Sequence, residues 1–204
     1  MDIEITFINQ SFDENNSDVV IFQKNVATDY EELVVAWHVI QNCGRDWRHK
    51  FIYPMNFYVG AQDSWGNVSD LKPAVSGQKW SVVRSSSGDI LALDSTHASS
   101  PTEVEIQNSL SVGAINAQIY KDGRLLATKT GLAPQQKGAF EFKPTIWVGV
   151  VSEVEEGDIL NSAILSDINT EISLLGITKA NLIMTGGGVG SSAVPYQFTL
   201  VPTA

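Results

Sequence analysis

Three histidines, one cysteine and several clustered acids are the groups in this chain that could do chemistry. Asp94-Ser95-Thr96-His97 holds an acid, a hydroxyl and an imidazole within four positions. Nucleophilic catalysis needs a base beside the nucleophile in space and an acid that orients it, and neighbours in sequence do not make that geometry. No Gly-x-Ser-x-Gly elbow accompanies them, so the segment reads as a polar loop. Cys43 lies near His38 and His49 in sequence, but Asn42-Cys43-Gly44 reads as a turn after a strand, where a cysteine is a small packing residue. His38, Asp46 and His49 are the residue types of a two-histidine, one-carboxylate iron site. His38 follows an inward-facing Trp37, however, and is expected to point outward. These residues therefore predict no catalytic group, no metal and no cofactor.

Oxygen-rich and glycine-rich segments are read the same way. Asp13-x-Asn15-x-Ser17 imitates the first ligands of a calcium loop. It lacks glycine at the sixth position and glutamate at the twelfth, where Lys24 stands. Asp63, Asn67, Ser69 and Asp70 form a second such loop. Gly186 to Gly190 has neither the lysine of a phosphate-binding loop nor G-x-G-x-x-G spacing, and reads as a flexible connection between strands. Glu153, Glu155, Glu156 and Asp158 suit the start of a helix, where carboxylates meet the positive end of the dipole.

The aromatic stretch Arg45 to Trp65 carries more functional weight. It is basic and ring-rich within a chain of formal net charge −10. Alternation puts Phe51, Tyr53 and Met55 on one face of a strand that Pro54 bends, so part of the stretch must be core. Trp47 and Trp65 flank it in loops, next to polar groups. Such rings either plug the loops or form a surface that stacks on sugars, sits at lipid headgroups or anchors a partner. The candidate ligand-binding set is Trp47, Arg48, Tyr53, Tyr58, Asp63, Trp65 and Asn67.

The elements that must position these groups are short β-branched and aromatic runs between turn residues, the pattern of an all-β chain. Strands are expected at Ile3–Ile8, Asp18–Lys24, Leu33–Ile40, Phe51–Val59, Lys79–Val83, Ile90–Leu93, Val104–Gln107, Phe140–Phe142, Thr145–Val151, Ile172–Ile177, Ala180–Met184 and Tyr196–Val201. A hairpin around Asp122-Gly123 is expected to use a three-residue loop, Lys121–Gly123, pairing Ile119 with Leu125 and Ala117 with Ala127. At most one short helix falls near 158–168, capped by Asp158. The expected architecture is one antiparallel β-sandwich over 1–204, with roughly ten to twelve strands.

Composition bounds the function. With 13 Lys and Arg against 23 acids, the chain has no basic excess for nucleic acid. No apolar run approaches the ~20 residues of a transmembrane helix. The first residues lack the basic start of a signal peptide, so cytoplasmic location is the default expectation and leaderless export the alternative. Together these features predict a non-enzymatic protein working through its surface. The first expectation is a self-associating structural module that forms homo-oligomers through edge strands at Ile3–Ile8 and Tyr196–Val201. The second is a lectin-like carbohydrate binder. The third is a protein that acts on a lipid membrane as a pore-former or effector.

Overall fold

The computed structural model describes residues 2–15, 17–27, 33–168 and 170–203. Its strands in chain order are β1 (Ile3–Asn9), β2 (Asp18–Phe22), β3 (Leu33–Val34), β4 (His38–Ile40), β5 (Arg48–Tyr53), β6 (Phe57–Asp63), β7 (Lys72–Ala74), β8 (Gln78–Ser85) and β9 (Gly88–His97). They continue with β10 (Val104–Asn108), β11 (Ile115–Lys121), β12 (Arg124–Leu132), β13 (Lys137–Phe140), β14 (Thr145–Val151), β15 (Thr170–Ser173), β16 (Lys179–Gly187) and β17 (Val194–Pro202). Among the described residues one helix, α1 (Ser162–Asp167), and a single 3-10 turn at Gly190–Ser192 interrupt them. The chain is all-β, as its alternation predicts.

A single antiparallel sandwich does not describe it. The described strands form four sheets. The chain divides into two compact units, one built from Met1–Lys24, Val34–Met55 and Pro144–Ala204, the other from Asn25–Leu33 and Asn56–Lys143. The first unit holds sheets of order β17-β16-β1-β5 and β15-β14-β2-β4. The second holds β13-β10-β8-β9, and β6, β7, β11 and β12 in the five-stranded sheet β3-β12-β11-β6-β7. Each unit also contains a parallel pair at the centre of its four-stranded mixed sheet: β1 with β16, and β8 with β10. Alternation within a strand sets its faces but not the direction of its neighbour, so these parallel pairs were not legible in the pattern.

β1 corrects a second expectation. It is not an edge strand but lies between β16 and β5. Ile3, Ile5 and Phe7 are buried on one face, and Ile8 and Asn9 are buried as well. A strand paired at both edges and buried along one face is a core element, although Glu4 on its other face is exposed. Trp37 is fully buried, with its ring 5.6 Å from Tyr53 and 6.4 Å from Phe51, both on β5. Truncating a buried tryptophan costs about 3–5 kcal/mol. Tyr53 thus belongs to the interior of unit one, while Phe51 is half-buried.

Local geometry differs from expectation at three further places, each for a physical reason. The Phe51–Val59 run divides at Pro54, and its halves β5 and β6 join different sheets. The β11–β12 hairpin turns on two residues, Asp122 and Gly123, both at positive φ. That twist suits a two-residue turn. Lys121 pairs with Arg124, and a bulge restores the burial pattern by placing the extra residue Leu126 in the core. Finally, α1 starts later than expected. Asn161 caps it by accepting from the Ile164 N–H at 2.9 Å, while Asp158 accepts from the Glu155 N–H and closes the preceding turn. Leu160 and Ile168 flank the helix and pack in a cluster with Val20, Phe22, Ala36 and Val151.

Candidate functional site

The seven candidate residues fall into two regions. Trp47, Arg48 and Tyr53 belong to the first unit, and Tyr58, Asp63, Trp65 and Asn67 to the second.

In the second unit the turn after β6 is closed by Asp63. One carboxylate oxygen accepts the backbone N–H of Trp65 at 2.9 Å and of Asn67 at 2.8 Å. The other accepts the Asn67 side-chain amide at 2.8 Å. The Asp63 N–H in turn donates to the Asn67 carbonyl at 2.9 Å, and Gly66 supplies the left-handed residue the turn needs. The Asn67 amide and these N–H groups hold the Asp63 carboxyl below its usual value. Asp63 and Asn67 are therefore occupied in shaping the turn. What the turn presents is Trp65, which is 87% exposed.

The residues around that turn line two neighbouring hollows. One, of about 90 Å³, lies among Ala61, Asp63, Asn67, Val82, Asp89 and Leu110. Space of that size holds a few waters, each of which occupies ~30 Å³. The other, of about 410 Å³, is lined by Ser69, Asp70, Lys72, Asp89, Ile90 and Leu91. This volume lies within the ~300–1,000 Å³ range of small-molecule sites. The two share Ser69, Asp89, Ile90 and Leu91. The larger hollow mixes carboxylates, an ammonium and a hydroxyl with the aliphatic rungs Ile90 and Leu91. Asp89 is fixed by Arg84 at 2.9 Å. Tyr58, partly exposed, and Trp65 line neither hollow.

In the first unit Trp47 is 71% exposed at the end of the turn between β4 and β5. This turn is pinned by Asn9, a buried residue at the end of β1. The Asn9 side-chain amide donates to the Cys43 carbonyl at 2.7 Å. Its backbone N–H donates to the Trp47 carbonyl, and its carbonyl accepts the Asp46 N–H at 2.6 Å. The Asn9 side-chain oxygen takes both the N–H and the hydroxyl of Ser11. Nearby, the Arg45 guanidinium stacks 4.0 Å over the ring of Phe12, itself 57% exposed. Phe12 is held in place by backbone hydrogen bonds with Gly186 and Gly188. The glycine segment is thus built structure, not a slack connection. A side chain at Gly186 would meet the Pro195 carbonyl at 2.2 Å.

Arg48 is exposed on β5, but Tyr53 is only 1% exposed. Burial drives its phenol pKa far up, against a hydrogen bond with Gln23. Tyr53 leaves the candidate surface because its position on the inward face of β5 seats it against Trp37.

The other groups weighed for chemistry are placed as follows. Asp94 to His97 form the last part of β9, not a loop. Asp94 accepts from the N–H and hydroxyl of Thr96 and from the Ser81 hydroxyl, which lowers its pKa to about 2. Its oxygens are directed at those partners. Burial raises the Cys43 thiol pKa, the reverse of what a nucleophile needs. Asp13 accepts from the Asn15 and Ser17 N–H groups and from the Tyr196 hydroxyl. Burial pushes its carboxyl up, but these bonds outweigh it and leave the pKa lowered. His38 is buried at 4% exposure, not outward, because β4 is covered on both faces. It meets His49 and Glu156, whereas Asp46 lies elsewhere, beside Arg45.

Asn9, Phe12 and Glu156 had no prior signal as site residues. Their roles come from contacts across long sequence distances that spacing does not encode. No helix among the described residues is long and apolar enough to cross a membrane. No protein-family model matches the chain, no curated protein resembles it in sequence, and no solved structure matches it in fold.

Proposed function

We infer that the protein is a non-enzymatic, lectin-like carbohydrate-binding module whose principal contact is Trp65. The observation that carries this reading is the exposed Trp65 ring on a self-closed turn, with Asp63 and Asn67 at its base beside the hollow that continues to Asp70, Lys72 and Asp89. A sugar ring has an apolar C–H face for stacking and hydroxyls at its rim. Asp70, Lys72 and Asp89 offer acceptors and donors for those hydroxyls, and Ile90 and Leu91 offer apolar surface. Mixed charge in the hollow and a net charge of −10 disfavour polyanions as ligands. The acids, hydroxyls and thiol that could do catalysis are held in structural hydrogen bonds or kept neutral.

The test is a glycan array, followed by titration of tryptophan fluorescence with the glycans retained. Binding that vanishes in Trp65→Ala but persists in Trp47→Ala supports the reading. No retention of any glycan, or equal binding by Trp65→Ala, defeats it.

Self-association is the second reading, and β17 favours it. This nine-residue strand stands at the end of its sheet and carries no charged residue from Val194 to Pro202. Such an edge is open to strand addition by a second copy. Two copies would also present two sugar sites and raise avidity without new contacts to the ligand. Light scattering over a concentration series decides it, and a monomer throughout removes this reading.

A further inference from the structure

The Glu156–His38–His49 chain in the first unit is separate from either tryptophan turn. His38 comes from β4 and His49 from β5, which belong to the unit's two different sheets. Glu156 bonds His38 at Nδ1, and the same carboxylate oxygen accepts the Val39 N–H. A carboxylate can only accept, so Nδ1 of His38 carries a proton, and in the neutral ring its Nε2 bears the lone pair. That nitrogen faces Nε2 of His49 at 3.3 Å. Two imidazole nitrogens opposed at this distance need a cation or a proton between them.

We propose that the two Nε2 atoms bind a zinc-class divalent ion, with Glu156 orienting His38 from behind. Two ligands at about 2.0–2.1 Å on a tetrahedral ion stand about 3.3–3.4 Å apart, the separation seen here. The ring centroids lie 5.3 Å apart with planes tilted by 41°. Two imidazoles on such an ion would place their centroids about 5.1–5.3 Å apart, in agreement with the observed value. A carboxylate on the far nitrogen of a ligating histidine is the usual outer partner that fixes its tautomer and strengthens it as a ligand. Imidazole ligands select zinc, copper, nickel and cobalt over magnesium or calcium. Among the described residues no set of three or more His, Cys, Asp or Glu side chains converges on one point. Water or a small anion therefore completes the coordination. The ion would tie β4 to β5, and so one sheet of this unit to the other.

The full chain is dialysed against zinc chloride or magnesium chloride, and bound metal is counted alongside the melting temperature. The expected result is one zinc per chain, no magnesium, and a rise of about 5–11 °C at a hundredfold excess over Kd. His49→Gln, at a half-buried site, should weaken zinc binding at least a hundredfold. Glu156→Gln should weaken it about 10–100-fold. His97→Gln should leave it unchanged. Cobalt chloride supplies a readout that needs no variant, since a tetrahedral site gives an intense visible spectrum. The proposal is overturned if wild type holds no zinc, if cobalt shows only weak octahedral absorption, or if His49→Gln loses less than tenfold.

Discussion

The turn that carries Trp47 is held from outside, and the turn that carries Trp65 is held from within. Asn9 reaches Cys43, Asp46 and Trp47 from the end of a buried strand. Asp63 reaches only two and four residues ahead, to Trp65 and Asn67. The first turn therefore depends on the assembled core of its unit. The second is a local structure that forms wherever its own six or so residues can close. A ring on a self-closed turn can be presented to a ligand without being tied to the stability of the sheets beneath it.

Asn9→Ala should do the most damage. It removes a buried acceptor and donor and leaves the Cys43 carbonyl and the Ser11 hydroxyl without their partner, at a cost of about 2–4 kcal/mol. Urea unfolding monitored by circular dichroism measures it. A cost near zero would mean that the Trp47 turn, too, is self-supporting. Next is Trp65→Ala, expected to weaken glycan binding at least tenfold, or about 1.4 kcal/mol, with the urea midpoint unmoved. Isothermal titration with the best array glycan provides the number.

Acid gives a third separation. The Asp63 pKa is lowered in the folded protein, so its hold on the turn is complete above the usual carboxylate value. That hold fades as pH falls through the lowered folded value. The Trp65 contribution to fluorescence anisotropy, taken as the difference between the protein and its Trp65→Phe variant, should drop as pH falls below the usual carboxylate value. A flat profile would show that Gly66 and the backbone bonds suffice. The smallest effect is expected for Trp47→Ala, within about 0.5 kcal/mol of wild type in the same urea assay, because its exposed ring contributes little burial.

The same contrast explains what the sequence revealed. The Asp63-x-Trp65-x-Asn67 turn, the break at Pro54 and the alternating strands are local patterns, and all are present in the fold. Trp47 and Trp65 proved exposed, whereas Tyr53 proved buried because the inward face of β5 meets Trp37. The placement of β1 between β5 and β16 depends on partners 40 to 50 and 175 residues away. No periodicity in Ile3–Asn9 could announce that. His38 misled for a related reason. Alternation predicts two faces but cannot tell that the second face is covered by the Glu156 segment and by β5.

The pairing of β1 with β16 also sets the order of events during synthesis. At ~5–20 residues per second, the ribosome makes β1 many seconds before its parallel partner at Lys179–Gly187 exists. The bulk of the second unit, Asn56–Lys143, is meanwhile complete and able to fold around its own hairpin. The early-made strand waits with the backbone groups of its β16 edge unpaired. Nascent chains arrested before residue 179 should therefore bind chaperones through their first ten residues, and chains released after β16 should not.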